Sequence, residues 1–131
     1  MTVQLDFDKQ GGLITAVVQD ARSGRVLMVG YMNREAFDKT IATEHVTFFS
    51  RSRNKLWTKG ESSGHFLKLI SVATDCDADA LLVQAEPMER GVCHNGFESC
   101  FYRTLKGGKG GEWVQTEEPV YDPKAVYGAK Q

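Results

Sequence analysis

The chain has 131 residues, of which 41% are hydrophobic and 25% charged, with a formal net charge of −1. This is the size and composition of one globular domain; it argues against a disordered chain and leaves little room for a second domain. A near-neutral molecule projects no global field toward nucleic acid or anionic lipid, so an anionic ligand must be drawn by a local patch.

Residues 1–10 mix Asp6, Asp8 and Lys9 with apolar residues and lack the basic-then-apolar order of a signal peptide. No run approaches the roughly 18 consecutive apolar residues of a membrane span. The expectation is a cytoplasmic protein. Thiols stay reduced in that compartment, so Cys76, Cys93 and Cys100 are expected as ligands, nucleophiles or core residues and not as a disulfide framework.

Residues 13–20 and 25–32 are apolar, β-branched runs separated by Ala21-Arg22-Ser23-Gly24, which predicts a β-hairpin. Asn33 then caps a short helix ending near Thr43, with Glu35 in its first turn and Ala36, Phe37, Thr40 and Ile41 on one face. Strand character resumes over 45–50. Residues 51–64 read as a polar loop around Trp57. Residues 66–74 alternate, with Leu67, Leu69 and Ser71 on one face and Lys68, Ile70 and Val72 on the other. Further strands are predicted over 80–86, stopped by Pro87, and over 100–105. Gly107 to Gly111 reads as a flexible spacer, with Trp113 and Val114 as an edge strand beyond it. The expected fold is mainly β with one short helix, of α+β character, in a single domain over 1–131.

The run Asp75-Cys76-Asp77-Ala78-Asp79 is the most informative feature. In an extended segment its three carboxylates share one face and Cys76 the other. Like charges that close destabilise one another unless a cation intervenes, and a hard ion such as Mg²⁺ prefers oxygen ligands. A solvated acidic loop is the alternative. The cysteine spacing does not match a zinc finger or ribbon, which uses close pairs and four ligands. Three ligands are what a catalytic zinc site uses, with a fourth position left to water. Buried small hydrophobes are the alternative, but Cys93 and Cys100 stand in polar, turn-rich surroundings, which favours ligands.

His94 follows Cys93 directly and is the candidate general acid or base. The loop 51–64 gathers Arg51, Ser52, Arg53, Trp57, Lys59, Glu61, Ser62, Ser63 and Gly64. Arginine forks and glycine or serine amides suit phosphate, and Trp57 offers a face to a planar base. Single-stranded nucleic acid would be bound by the same residue types. The patch is one loop long on a slightly acidic molecule, which favours a small phosphorylated ligand.

The strings Tyr31-Met32-Asn33-Arg34-Glu35-Ala36, Phe49-Ser50-Arg51-Ser52-Arg53, Leu56-Trp57-Thr58-Lys59-Gly60-Glu61-Ser62-Ser63-Gly64, Asp75-Cys76-Asp77-Ala78-Asp79-Ala80-Leu81-Leu82, Cys93-His94 and Ser99-Cys100-Phe101-Tyr102-Arg103 resemble, in order and spacing, those of the phosphoribosyl-AMP cyclohydrolases. The resemblance covers about residues 11–105, leaving 106–131 as a C-terminal extension. It implies a compact β-rich fold forming an intertwined homodimer. It further implies Mg²⁺ on Asp75, Asp77 and Asp79, and zinc on Cys93 and Cys100 of one subunit with Cys76 of the other. The activity implied is hydrolytic opening of the adenine ring of 1-(5-phosphoribosyl)-AMP at C6–N1, a step of L-histidine biosynthesis. The product is the phosphoribosyl-formimino-aminoimidazole carboxamide ribotide. Zinc-bound hydroxide is the implied nucleophile, as in zinc deaminases acting on adenine. His65 departs from the family, which often has Asn there, and no role is assigned to it. No pyrophosphohydrolase domain follows, so the expectation is a stand-alone enzyme.

Two rivals fit less well. The long acidic helix motif of a Nudix hydrolase is missing. A non-catalytic zinc-stabilised RNA-binding module, with His94 as fourth ligand, leaves the three aspartates unexplained.

Overall fold

β1 (Ile14–Asp20) and β2 (Val26–Met32) form the antiparallel hairpin that the apolar runs predict. Ile14, Ala16 and Val18 are fully buried while the alternate residues of β1 are only half-buried, the period of two that a sheet imposes. Gly30 of β2 pairs with Ala16, and the Phe48 ring lies directly over it. A Cβ at Gly30 would come within 2.5 Å of that ring, so the close approach admits only glycine. The computed structural model describes residues 1–127; residues 128–131, the end of the expected C-terminal extension, lie outside the described residues.

α1 (Arg34–Thr43) starts where the sequence says it should. The Asn33 side chain accepts the Ala36 N–H at 2.8 Å, and Glu44 closes the helix in a left-handed conformation. Thr40 is buried in the helix, donating to the Ala36 carbonyl at 2.8 Å and accepting the Thr47 N–H at 2.9 Å. The second of these bonds ties α1 to β3 (Thr47–Ser50).

β3 pairs antiparallel with β4 (Lys55–Thr58), which lies inside the stretch expected to be a loop. The cross-strand pairs Phe48 with Trp57 and Phe49 with Leu56 explain the difference. Their apolar contact outweighs the polar composition around them. β5 (Leu67–Thr74) runs antiparallel to β6 (Ala80–Pro87), and β6 runs parallel to β1, giving the sheet order β2-β1-β6-β5. A bulge corrects the predicted faces of β5. The register slips between Leu69 and Ser71, Ile70 is left 51% exposed, and Val72 joins Leu69 against the core.

The C-terminal part differs most from expectation. The strand anticipated over 100–105 starts later, as β7 (Arg103–Lys106), and pairs with β8 (Glu112–Gln115). The glycines between them make a hairpin turn and not a spacer. Both strands are solvent-exposed throughout. A second short helix, α2 (Pro123–Tyr127), follows. The architecture is the mainly β, α+β fold that was expected. Among the described residues no helix is long and apolar enough to cross a membrane.

The N-terminal segment is pinned to this frame. Phe7 is buried in the core beneath the Arg34 guanidinium, and the Asp6 N–H donates to the Ala78 carbonyl at 2.8 Å. Residues 6–9 are thereby held against the link between β5 and β6.

Candidate active site

That link carries the acidic run, and it is a tight turn and not the extended segment expected. Ala78 takes a left-handed conformation, and one Asp75 carboxylate oxygen accepts the N–H groups of Asp79 at 3.0 Å and Ala80 at 3.1 Å. The turn, not strand alternation, gathers Asp75, Asp77 and Asp79 so that their ligand oxygens lie within 4.8 Å of one another. The Lys9 ammonium sits among them, 3.0 Å from Asp77 and 3.1 Å from Asp79.

The electrostatics follow from that crowding. The Lys9 hydrogen bond, helped by those of Asp79 and Asp75, holds the Asp77 carboxyl down to about 2. Asp79 is also pulled down by Lys9, yet burial and the Asp77 and Asp75 carboxyls together leave it raised. Asp77 and Asp79 in turn raise the Lys9 ammonium through their hydrogen bonds to it. Lys9 is thus a stand-in cation in a cradle of hard oxygen donors, and that donor set suits Mg²⁺.

Cys93 stands in the turn-rich setting expected, yet its loop encloses it and leaves it only 3% exposed. It is buried in its own loop between Val92 and Phe97, apart from the main apolar cluster. Its sulfur accepts the Asn95 N–H at 3.4 Å. The Cys100 thiol stands beside it. Though the residue as a whole is exposed, burial of the thiol and then the neighbouring Cys93 push Cys100 up to about 11, against the pull of Lys59. Two adjacent thiols with a backbone N–H aimed at sulfur suit a thiophilic ion such as zinc. Cys76 stays exposed on the acidic turn. Among the described residues the aspartates are the only three-ligand metal cluster in one chain, so Cys76 does not join Cys93 and Cys100 there.

A cleft of about 420 Å³ lies between the 51–64 segment and the Cys93 loop. Ser52, Arg53, Trp57, Lys59, Glu61, Ser62 and Ser63 line it, and His94 faces them from the opposite side with Tyr127. Lys59 is 7% exposed and bridges the two halves, since its charge reaches both the cleft and the Cys100 thiol. Arg51 is not in this wall. It lies 4.3 Å over the Tyr31 ring, in an adjoining cavity that shares Ser50, Ser52 and Trp57 with the cleft. Gly64 does not line the cleft either; its N–H closes a turn on the Gly60 carbonyl at 2.7 Å.

The sequence reading missed His65 and Tyr121. The Gly91 carbonyl can only accept, so His65 Nδ1 carries a proton and donates to it at 2.8 Å. Tyr121 donates its hydroxyl to the Cys93 carbonyl at 2.7 Å. No local pattern marks either residue.

The sequence model of the phosphoribosyl-AMP cyclohydrolase family matches residues 28–102. The chain is similar to the phosphoribosyl-AMP cyclohydrolase of Solibacter usitatus, 60% identical over 128 residues that cover 98% of this chain and 99% of that protein. It is 46% identical over 125 residues to the protein of the same name from Geobacter metallireducens, covering 95% of this chain and 98% of the relative. The histidine biosynthesis bifunctional protein HisIE of Bacteroides thetaiotaomicron is 50% identical over 124 residues, which span 95% of this chain and 55% of that protein.

Proposed function

This chain belongs to the phosphoribosyl-AMP cyclohydrolase family, and from that premise we propose that it opens the adenine ring of phosphoribosyl-AMP as a hydrolase of histidine biosynthesis. Two of the relatives are named as cyclohydrolases and one as a histidine biosynthesis protein, which favours an enzyme over the RNA-binding module. The observation that carries the reading at the site is the shared cleft: His94 faces Arg53, Lys59 and Trp57 while its neighbour Cys93 pairs with Cys100.

The reaction adds water across C6–N1 of the substrate's adenine. Oxygen joins C6 and becomes the carboxamide carbonyl, the C6–N1 bond breaks, one water proton goes to N1 and the other to the imino nitrogen on C6, which ends as the amide NH2. Zinc held by Cys93 and Cys100 would supply a coordinated water with its pKa lowered to about 7. His94, exposed on the cleft wall, takes up the water's proton and returns it to N1. Arg53, Lys59 and the Ser62 and Ser63 hydroxyls bind the substrate's phosphate groups, fixing C6 toward His94. Trp57 is half-buried, and its exposed part stacks on the planar base. Asp75, Asp77 and Asp79 would hold Mg²⁺.

The working unit is a homodimer in which Cys76 completes the partner's zinc site. Two features support this: Cys76 is exposed away from the other thiols, and an apolar cleft of about 740 Å³ runs between Val3, Leu5, Phe37, Ile41 and Val72. Zinc- and magnesium-replete protein mixed with phosphoribosyl-AMP should produce the absorbance change of ring opening. Chelation should abolish it, and added metal should restore it. A metal-replete protein without turnover overturns the reading.

A further inference from the structure

Tyr121 lies far along the chain from the motifs, yet it touches the loop that carries Cys93 and His94 at several points. Its hydroxyl donates to the Cys93 carbonyl at 2.7 Å, the same oxygen that accepts the Gly96 N–H at 2.9 Å. That carbonyl belongs to the peptide joining Cys93 to His94, so its two donors set the plane from which the imidazole departs. The N–H groups of Val120 and Tyr121 both reach the Gly96 carbonyl, at 2.7 and 3.3 Å, and hold the far end of the turn. The Tyr121 ring packs on Gly91, where a Cβ would come within 2.3 Å of it, so the approach needs glycine there.

His65 continues the same assembly toward the opposite wall of the cleft. It follows directly on Ser62, Ser63 and Gly64, its Nδ1 donates to the Gly91 carbonyl at 2.8 Å, and its ring lies 4.8 Å from that of Tyr121.

We propose that Tyr121 and His65 are positioning residues that fix the turn bearing Cys93 and His94 against the phosphate-binding wall of the cleft, an inference that rests on the function proposed above. Neither touches the reacting atoms. Tyr121 acts through the Cys93 carbonyl, and His65 through Gly91.

The test uses the full chain carrying zinc for turnover and cobalt(II) for spectroscopy. Tyr121→Phe keeps the ring against Gly91 and removes only the hydroxyl. The expected result is a kcat lower by about tenfold, the weight of one hydrogen bond, with KM little changed. The visible bands of cobalt(II) bound through the thiols should shift as well, since the Cys93 peptide is free to turn. His65→Asn places an amide nitrogen where Nδ1 stands and should keep wild-type values, whereas His65→Ala should follow Tyr121→Phe. Wild-type kcat and an unshifted cobalt spectrum in Tyr121→Phe overturn the assignment. So does a loss of kcat with an unshifted spectrum and no difference between the two His65 variants, which is what a merely structural role gives. A wild-type protein that binds cobalt through its thiols but leaves phosphoribosyl-AMP intact overturns the function alone, because the spectra still decide the role of Tyr121.

Discussion

At the scale of single residues, His94 is distinguished by what it lacks as much as by where it stands. It is exposed on the cleft wall, next in sequence to a buried thiol, and faces Arg53 and Lys59 across the space a ligand would fill. In the mechanism proposed above, an imidazole in that position moves protons without binding the metal. His94→Ala should therefore lower kcat by roughly 10²–10⁴-fold and leave bound zinc, measured by elemental analysis, unchanged. Full turnover in the variant, or loss of zinc, removes this role. Adjacency to Cys93 made His94 legible in the sequence. His65 and Tyr121 were not legible, since their partners lie 26 and 28 residues away and only folding brings them together. The acidic run was legible for an incomplete reason. Three aspartates at alternate positions do meet, but through a turn closed by Asp75, and alternation along a strand plays no part.

Among the elements, those whose signals are local were read correctly. The first hairpin declares itself by alternation on both sides of a short polar link ending in glycine, and α1 by its cap. Asn33→Ala should remove the bond to the Ala36 N–H and cost about 1 kcal/mol. That corresponds to a melting temperature lower by roughly 2–6 °C, with kcat unaffected. An unchanged melting curve would mean that Thr40 and the packing of α1 suffice to define its start. Elements defined by their partners were misread. β4 sits in a stretch whose composition says loop, and only Phe48 and Phe49 opposite make it a strand. The bulge at Ile70 is invisible until β5 is laid against β6. The edge strand expected at Trp113 and Val114 is there as β8, but the start of β7 was misplaced because neither face of that hairpin is buried and no periodicity marks its ends.

For the whole molecule, the division of the thiols makes the number of chains in an active centre a measurable quantity. Cys76→Ser and Cys93→Ser proteins should each be inactive alone. In a mixed dimer one site inherits both defects and the other inherits neither. Random reassortment makes half the dimers hybrid, so co-refolded variants should recover about a quarter of wild-type activity and zinc content. No recovery would mean that each site is built within one chain. The acidic turn bears on the assembly in another way. With the Lys9 ammonium seated between Asp77 and Asp79, the metal-free chain brings its own counter-ion, held in reach by Phe7 in the core. On the magnesium reading proposed above, loading is an exchange in which an ion arrives and an amine departs, and the affinity measured is the difference between the two. Lys9→Gln should bind Mg²⁺ severalfold more tightly in calorimetry. An equal affinity would mean that the amine leaves the carboxylates free in solution. On that reading, the first ten residues set the magnesium concentration at which the centre would fill.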